Sequence, residues 1–96
     1  MARVEVSAAA AEDLRTLIVT HSLATDTRER VKRSLRPLER FPLMGAELRG
    51  RWSGLRFLLG PWRWLLMVYV FLDQEDRVVI VTFQDGRSSG AATAGR

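Results

Sequence analysis

The sequence contains no cysteine, and it has only one lysine (Lys32), one histidine (His21) and one tyrosine (Tyr69). The absence of cysteine excludes disulfide bonds and thiolate metal ligands, and it fits a reducing compartment. With a single histidine and no thiol, the sequence predicts neither a metal site nor a bound cofactor.

Long hydrophobic runs are also missing. The longest, Trp64–Leu72, is far shorter than the roughly 20 apolar residues that cross a bilayer. Near the start of the chain, Glu5, Glu12 and Asp13 surround a run of alanines, which does not fit a signal peptide. We therefore expect a cytoplasmic protein with no membrane segment.

Basic residues outnumber acidic residues by 15 to 11, which gives a net charge of +4 over 96 residues. This balance favours a polyanion or an acidic protein as partner, although GC-rich codon usage would also enrich arginine. A hydrophobic content of 47% is enough for one core. We expect a single domain over residues 1–87, followed by a flexible C-terminal tail over residues 88–96, which is rich in small residues.

The hydrophobic pattern predicts an α+β protein with the element order β-α-α-β-β-β. Two N-terminal helices would pack on a small, mainly antiparallel sheet. Pro37 lies inside the second predicted helix and predicts a kink or a looser last turn, and Pro42 ends that helix. Residues 43–52 are expected to form a loop with about one turn of structure. The predicted elements are strand 3–6, helix 8–21, a second helix ending before residue 42, and strands 55–59, 63–72 and 77–83.

The predicted strand 63–72 is apolar on both faces. Leu65, Met67 and Tyr69 share one face, and Leu66 and Val68 lie on the other. Two helices can cover only one face fully. The second face is then either shielded by loops or left open as a groove for a partner.

Several short segments occur in a characteristic order, and the most specific is Gly60-Pro-Trp-Arg63-Trp-Leu-Leu-Met-Val-Tyr69. It resembles the G-x-Y-R-x-x-Y segment of the RelE/ParE superfamily of bacterial type II toxin–antitoxin toxins. The resemblance covers residues 3–87 and includes four further segments: Ala11-Glu-Asp-Leu14, Pro42-Leu-Met-Gly45, Leu48-Arg-Gly50 and Gly54-Leu-Arg56.

The resemblance implies a toxin that is held by a cognate antitoxin in a hetero-oligomer. RelE-like members are ribosome-dependent endoribonucleases that cut mRNA, whereas ParE-like members poison DNA gyrase. Ribosome and mRNA are the expected target, with gyrase as the alternative. A binding module that has lost catalysis is a further alternative.

Site residues follow from the resemblance. Arg63 matches the arginine of the family segment and would clamp the scissile phosphate, unless it is a solvated strand end or an antitoxin contact. Arg56 matches a basic position on the preceding strand. The predicted catalytic residues are Arg56, Arg63, Arg87 and Asp85. The predicted nucleic-acid contacts are Arg49, Arg51, Arg56, Arg63 and Arg87.

The sequence departs from the nuclease pattern near its C-terminal end. Asp85 and Gly86 stand where family nucleases often have a His-Arg or Lys-Arg pair, and no tyrosine follows. Gly54 stands where some nucleases have a lysine. An exposed aspartate is a weak base, and arginine is a poor proton donor at neutral pH. His21, on the first helix, is expected to be a packing or capping residue, so the acid–base set is incomplete.

Two further features have both a structural and a functional reading. The second helix is strongly basic between Arg28 and Arg40, which is either a solvated face or a contact for rRNA or an acidic antitoxin. Trp64 is expected in the core. Trp52 and Trp62 are expected to pack locally, or else to stack on a base or fill an antitoxin pocket.

Overall fold

The computed structural model describes residues 1–94, so residues 95 and 96 of the predicted tail lie outside the described residues. Two α-helices and five strands make up the fold, and three short 3-10 turns connect them. The elements are β1 (Arg3–Val6), α1 (Ala8–Thr20), α2 (Thr27–Leu35), β2 (Ala46–Glu47), β3 (Arg56–Leu59), β4 (Leu65–Leu72) and β5 (Arg77–Asp85). The 3-10 turns are Arg36–Glu39, Gly50–Trp52 and Asp73–Glu75.

The first helix begins and ends close to the predicted positions. Ser7 is its N-cap, and the hydroxyl accepts a hydrogen bond of 3.0 Å from the backbone N–H of Ala10. This bond satisfies one of the amides that the first turn leaves without a helical partner. His21 is the C-cap, so its side chain projects from the end of the helix rather than from its middle.

The second helix is shorter than predicted. It ends at Leu35, and Arg36–Glu39 continues as a 3-10 turn that contains Pro37. Proline has no N–H and its ring clashes with the preceding turn, which is the physical reason for the change of helix type. The looser last turn expected at Pro37 is therefore confirmed.

The strands form one sheet in the order β1-β5-β4-β3-β2. β1 runs parallel to β5, and the other neighbouring pairs are antiparallel. The mainly antiparallel sheet is as predicted. The element order differs by one addition, because Ala46–Glu47, placed in a loop by the sequence, pairs with β3 as a fifth strand.

Both faces of the sheet are packed. On one face α1 and α2 cover Leu65, Met67 and Tyr69, together with Val78, Ile80 and Phe83 of β5. On the other face, Leu66 and Val68 pack against a smaller cluster: Leu48, Ala91 and Ala92, with Trp52, Leu55, Phe57 and Val81 at its margin. The division of the β4 side chains follows the predicted alternation. The second face is shielded by loops rather than open.

The segment after β5 contributes to that shielding. Ala91 and Ala92 are 6% and 7% exposed, and the N–H of Ala92 donates to Gln84 Oε1 at 2.8 Å. The sequence places these two alanines in the flexible tail, where little burial is expected. Their small side chains are what allow the chain to lie close against the sheet.

Within residues 1–94, no helix has both the length and the apolar character needed to cross a bilayer.

Candidate functional site

The end of α1 and the end of β5 meet, and this contact brings together His21 and Asp85. His21 Nε2 lies 3.0 Å from Asp85 Oδ2, although the two residues are 64 positions apart in the chain. The side chains are 27% and 20% exposed, so the pair is partly buried but accessible from solvent. The sequence predicts Asp85 as a site residue and does not include His21.

Arg87 holds the Asp85 carboxylate in place. Its backbone N–H and its Nε donate to Oδ1 at 2.9 Å each, and its Nη2 donates to Oδ2 at 2.8 Å. These hydrogen bonds keep the pKa of Asp85 well below its ordinary range, and the bond to His21 acts in the same direction. A carboxylate held so firmly in its ionised form is a poor proton acceptor.

The ionised carboxylate also fixes the hydrogen-bonding state of the imidazole. It can only accept, so His21 Nε2 carries the proton of that bond. The other ring nitrogen, Nδ1, lies 2.9 Å from the hydroxyl of Thr20, an exposed residue. In the neutral ring Nδ1 is an acceptor, and the rotatable hydroxyl donates to it. We call His21, Asp85 and Arg87 the His–Asp–Arg cluster.

An aromatic stack packs against the ring of His21 in this cluster. The His21 ring lies 4.9 Å from the Trp64 ring at an interplanar angle of 9°, and Trp64 is stacked with Trp62 at 5.6 Å and 8°. The guanidinium of Arg87 also lies over Trp64, at 5.3 Å from the ring centroid. Stacked rings and a cation over an indole are both attractive arrangements.

Both tryptophans of the stack also pack against the core on the helix side of the sheet. Trp64, which the sequence places in the core, is therefore half-buried at the margin of the core. Arg30 of α2 lies over Trp62 at 5.0 Å, which ties the basic helix to the stack.

Arg63 stands between the two stacked tryptophans in the chain, in the turn that precedes β4. Its side chain is exposed, as the sequence predicts. Of the four predicted catalytic residues, Arg87 lies over Trp64 in space, and Arg63 is the neighbour of Trp64 in the chain. Asp85 joins them through its bonds to Arg87.

Arg56, the fourth predicted catalytic residue, is engaged elsewhere. Its Nη1 donates to the carbonyls of Gly45 and Leu43 at 2.8 and 3.2 Å, and its Nη2 bonds to Glu47 at 3.0 Å. Arg56 pairs with Tyr69 on β4, whereas Asp85 pairs with Leu65, and four strand residues span about 13 Å. The structure thus places Arg56 apart from the cluster, where it holds the segment that forms β2.

The two remaining predicted contacts lie in the loop before β3. Arg49 precedes the turn Gly50–Trp52 and Arg51 lies within it; both are exposed, and the guanidinium of Arg51 lies over Trp52 at 5.7 Å. Trp52 itself packs at the margin of the smaller core cluster.

No group of three or more His, Asp or Glu side chains within residues 1–94 is arranged to hold a metal ion. The candidate site contains an imidazole, a carboxylate, guanidinium groups and an aromatic support. Such a set can bind a phosphodiester and transfer a proton.

No protein-family model matches the sequence, and no curated protein matches it either. Solved structures do match its fold. The isolated E. coli RelE toxin is 19% identical, with 94% of this chain and 89% of that chain covered and a TM-score of 0.67. A structure of the chromosomal ParDE toxin–antitoxin system from P. aeruginosa is 16% identical, covers 88% and 96%, and has a TM-score of 0.68.

A third match is the RelBE2 toxin–antitoxin complex from Mycobacterium tuberculosis, at 22% identity, 88% and 90% coverage and a TM-score of 0.61. The chain therefore has the fold of RelE and ParE toxins over most of its length. The resemblance deduced from the sequence is confirmed at the level of the fold.

Proposed function

We propose that this chain is the toxin of a type II toxin–antitoxin system and that it cleaves mRNA on the ribosome without a metal ion. The observation that carries the proposal is the position of the Arg87 guanidinium, which lies over Trp64 and bonds to the Asp85 carboxylate that contacts His21. Arg63, which is exposed, is the neighbour of Trp64 in the chain. The shared fold with RelE supports the class of protein, and it supports a cytoplasmic site of action. A cognate antitoxin is the proposed partner, as in the RelBE2 complex.

The two guanidinium groups suit a phosphodiester substrate. Cleavage of RNA passes through a pentavalent phosphate with extra negative charge, and fixed cations stabilise that charge more than they stabilise the ground state. A planar guanidinium donates two parallel hydrogen bonds to phosphate oxygens. The net charge of +4 also favours approach to ribosomal RNA.

A second candidate is a ParE-like toxin that inhibits DNA gyrase without cutting RNA. The observation in its favour is that Arg87 already donates three hydrogen bonds to Asp85, which reduces what it can offer a phosphate. The similar fold of the ParDE structure is equally compatible with it. Activity measurements separate the two candidates.

The test of the first candidate uses mRNA cleavage by the purified protein in a translation extract that contains ribosomes. We expect Arg63→Ala to lower the cleavage rate about 100-fold, because it removes a cation that acts on the transition state. Arg15→Ala is the matched control. It removes the same charge from an exposed ion pair with Glu12, and such pairs contribute little to stability.

Intact mRNA at high concentrations of the wild-type protein would overturn the proposal. Equal cleavage rates of the wild type and Arg63→Ala would show that Arg63 does not contribute to the reaction. Inhibition of gyrase supercoiling in the absence of RNA cleavage would favour the second candidate.

A further inference from the structure

We infer that His21 is the proton acceptor of the RNA cleavage, an inference that rests on the proposed function and assigns a catalytic role to a residue at the end of α1. The sequence pattern alone indicates a packing or capping residue at this position. The structure confirms that His21 is the C-cap of α1, and it also places the ring beside the Asp85 carboxylate of the candidate site.

The imidazole is held in one orientation by three contacts. Asp85 accepts a hydrogen bond from Nε2 at 3.0 Å, Trp64 stacks on the ring at 4.9 Å, and the Thr20 hydroxyl bonds to Nδ1 at 2.9 Å. Asp85 is itself fixed by three hydrogen bonds from Arg87, so the partner of the ring is held rigidly. An oriented imidazole is the arrangement that proton transfer requires.

The acceptor atom is Nδ1. Nε2 carries the proton that bonds to Asp85, so the lone pair of the neutral ring is on Nδ1. The contact at Nδ1 is with an exposed hydroxyl, and a hydroxyl can rotate away when a substrate hydroxyl takes its place. This nitrogen is therefore the one that substrate can reach.

The charged groups beside the ring are few. Asp85 contacts it directly, Arg87 contacts Asp85, and Arg30 reaches the far end of the aromatic stack through Trp62. The helix that carries His21 has no charged residue between Arg15 and the ring. The Asp85 carboxylate is thus the group that compensates a positive charge formed on the imidazole.

The proposed reaction is an attack of the ribose 2′-oxygen on the adjacent phosphate. Nδ1 removes the proton of the ribose 2′-hydroxyl, and the 2′-oxygen forms a bond to the adjacent phosphorus. The bond from phosphorus to the 5′-oxygen breaks, and that oxygen takes a proton from water. The products are a 2′,3′-cyclic phosphate and a 5′-hydroxyl end. The imidazolium returns its proton to solvent, and Asp85 acts throughout as a positioning residue.

The experiment measures single-turnover cleavage of ribosome-bound mRNA by the wild type and by three variants. We expect His21→Gln and His21→Ala to lower the rate about 100-fold or more. Added free imidazole should raise the rate of His21→Ala by roughly a factor of ten, since the vacated face of Trp64 can accept it. Arg63→Ala, which lacks a phosphate contact rather than a base, should gain nothing from imidazole.

A measurement on the wild type covers the case in which a His21 variant fails to fold. His21 is the only histidine, so its ring gives a single set of NMR signals. The acidic limb of the pH–rate profile should have the same midpoint as the titration of that ring.

The failures are distinguishable. Absence of cleavage by the wild type overturns the proposed function and this inference together. Cleavage by the wild type with an equal rate in folded His21→Gln, or a pH–rate limb that does not follow the ring, overturns the inference alone.

Discussion

Asp85 is the residue on which the polar groups of the candidate site converge. It accepts hydrogen bonds from the His21 ring and from both the backbone and the side chain of Arg87. Because these donors favour the ionised carboxylate, they lower its pKa and couple its charge to the stability of the fold. The same residue thus orients a candidate catalytic group and joins two distant parts of the chain.

The coupling predicts a pH-dependent effect of Asp85→Asn. A folded-state pKa below the unfolded value of about 3.9 stabilises the fold above that pH, and the contribution is lost as the pH falls through the lower folded value. We expect the variant to lose about 1 to 2 kcal/mol of unfolding free energy at pH 7. The difference should shrink below pH of about 4.

Urea denaturation at a series of pH values checks this prediction. Asp73→Asn changes an exposed carboxylate in the turn after β4, and it should alter stability by less than about 0.5 kcal/mol. A difference between wild type and Asp85→Asn that is the same at pH 2 and pH 7 would contradict the account.

The sequence predicts some residues of the candidate site and does not predict His21. Arg63 is exposed because it lies in the turn between Pro61 and β4, and the strand predicted from residue 63 begins two residues later, at Leu65. His21 is missed because its partner is 64 residues away. Local periodicity indicates that the ring extends the helix stripe, but it cannot indicate which strand end the helix reaches. One feature of the sequence could have indicated His21: it is a single histidine, and it stands at the predicted end of the first helix.

Among the elements, the two helices and the four longer strands could be predicted because each carries its own hydrophobic period or capping residue. The added strand β2 could not. It has two residues, and its pairing with β3 depends on Arg56 binding the carbonyls of Gly45 and Leu43. The buried hydroxyl of Tyr69 also accepts the N–H of Gly45 at 2.9 Å. These are long-range contacts without a local sequence pattern.

The segment after β5 is a second element whose role depends on tertiary contacts. Ala92 is buried against the second face of the sheet, whereas Ala94 is exposed. We expect Ala92→Arg to destabilise the fold by about 2 kcal/mol, because the site has no room for a long charged side chain. The matched variant Ala94→Arg adds the same charge at an exposed position and should change stability by less than about 0.5 kcal/mol.

Urea denaturation of the two variants measures this difference. Equal stability of Ala92→Arg and Ala94→Arg would show that the segment does not cover the sheet in solution. In that event Leu66 and Val68 would be open to a partner, which is the alternative reading of the apolar strand.

For the whole molecule, the fold class follows from the sequence because the two helices precede a run of strands with tight connections. The RelE/ParE architecture is then recovered at only 16% to 22% identity in the structures compared above. The fold alone does not select between an RNA and a gyrase target, since both kinds of toxin share it. The choice depends on a few side chains around Trp64.

The proposed cleavage of mRNA by this chain is tested most directly by inducing the protein alone in growing bacterial cells. Within minutes, primer extension on an abundant transcript should reveal new 5′ ends inside the coding region, while plasmid supercoiling remains normal. Intact transcripts accompanied by relaxed plasmid and arrested growth would contradict the account and indicate gyrase as the target.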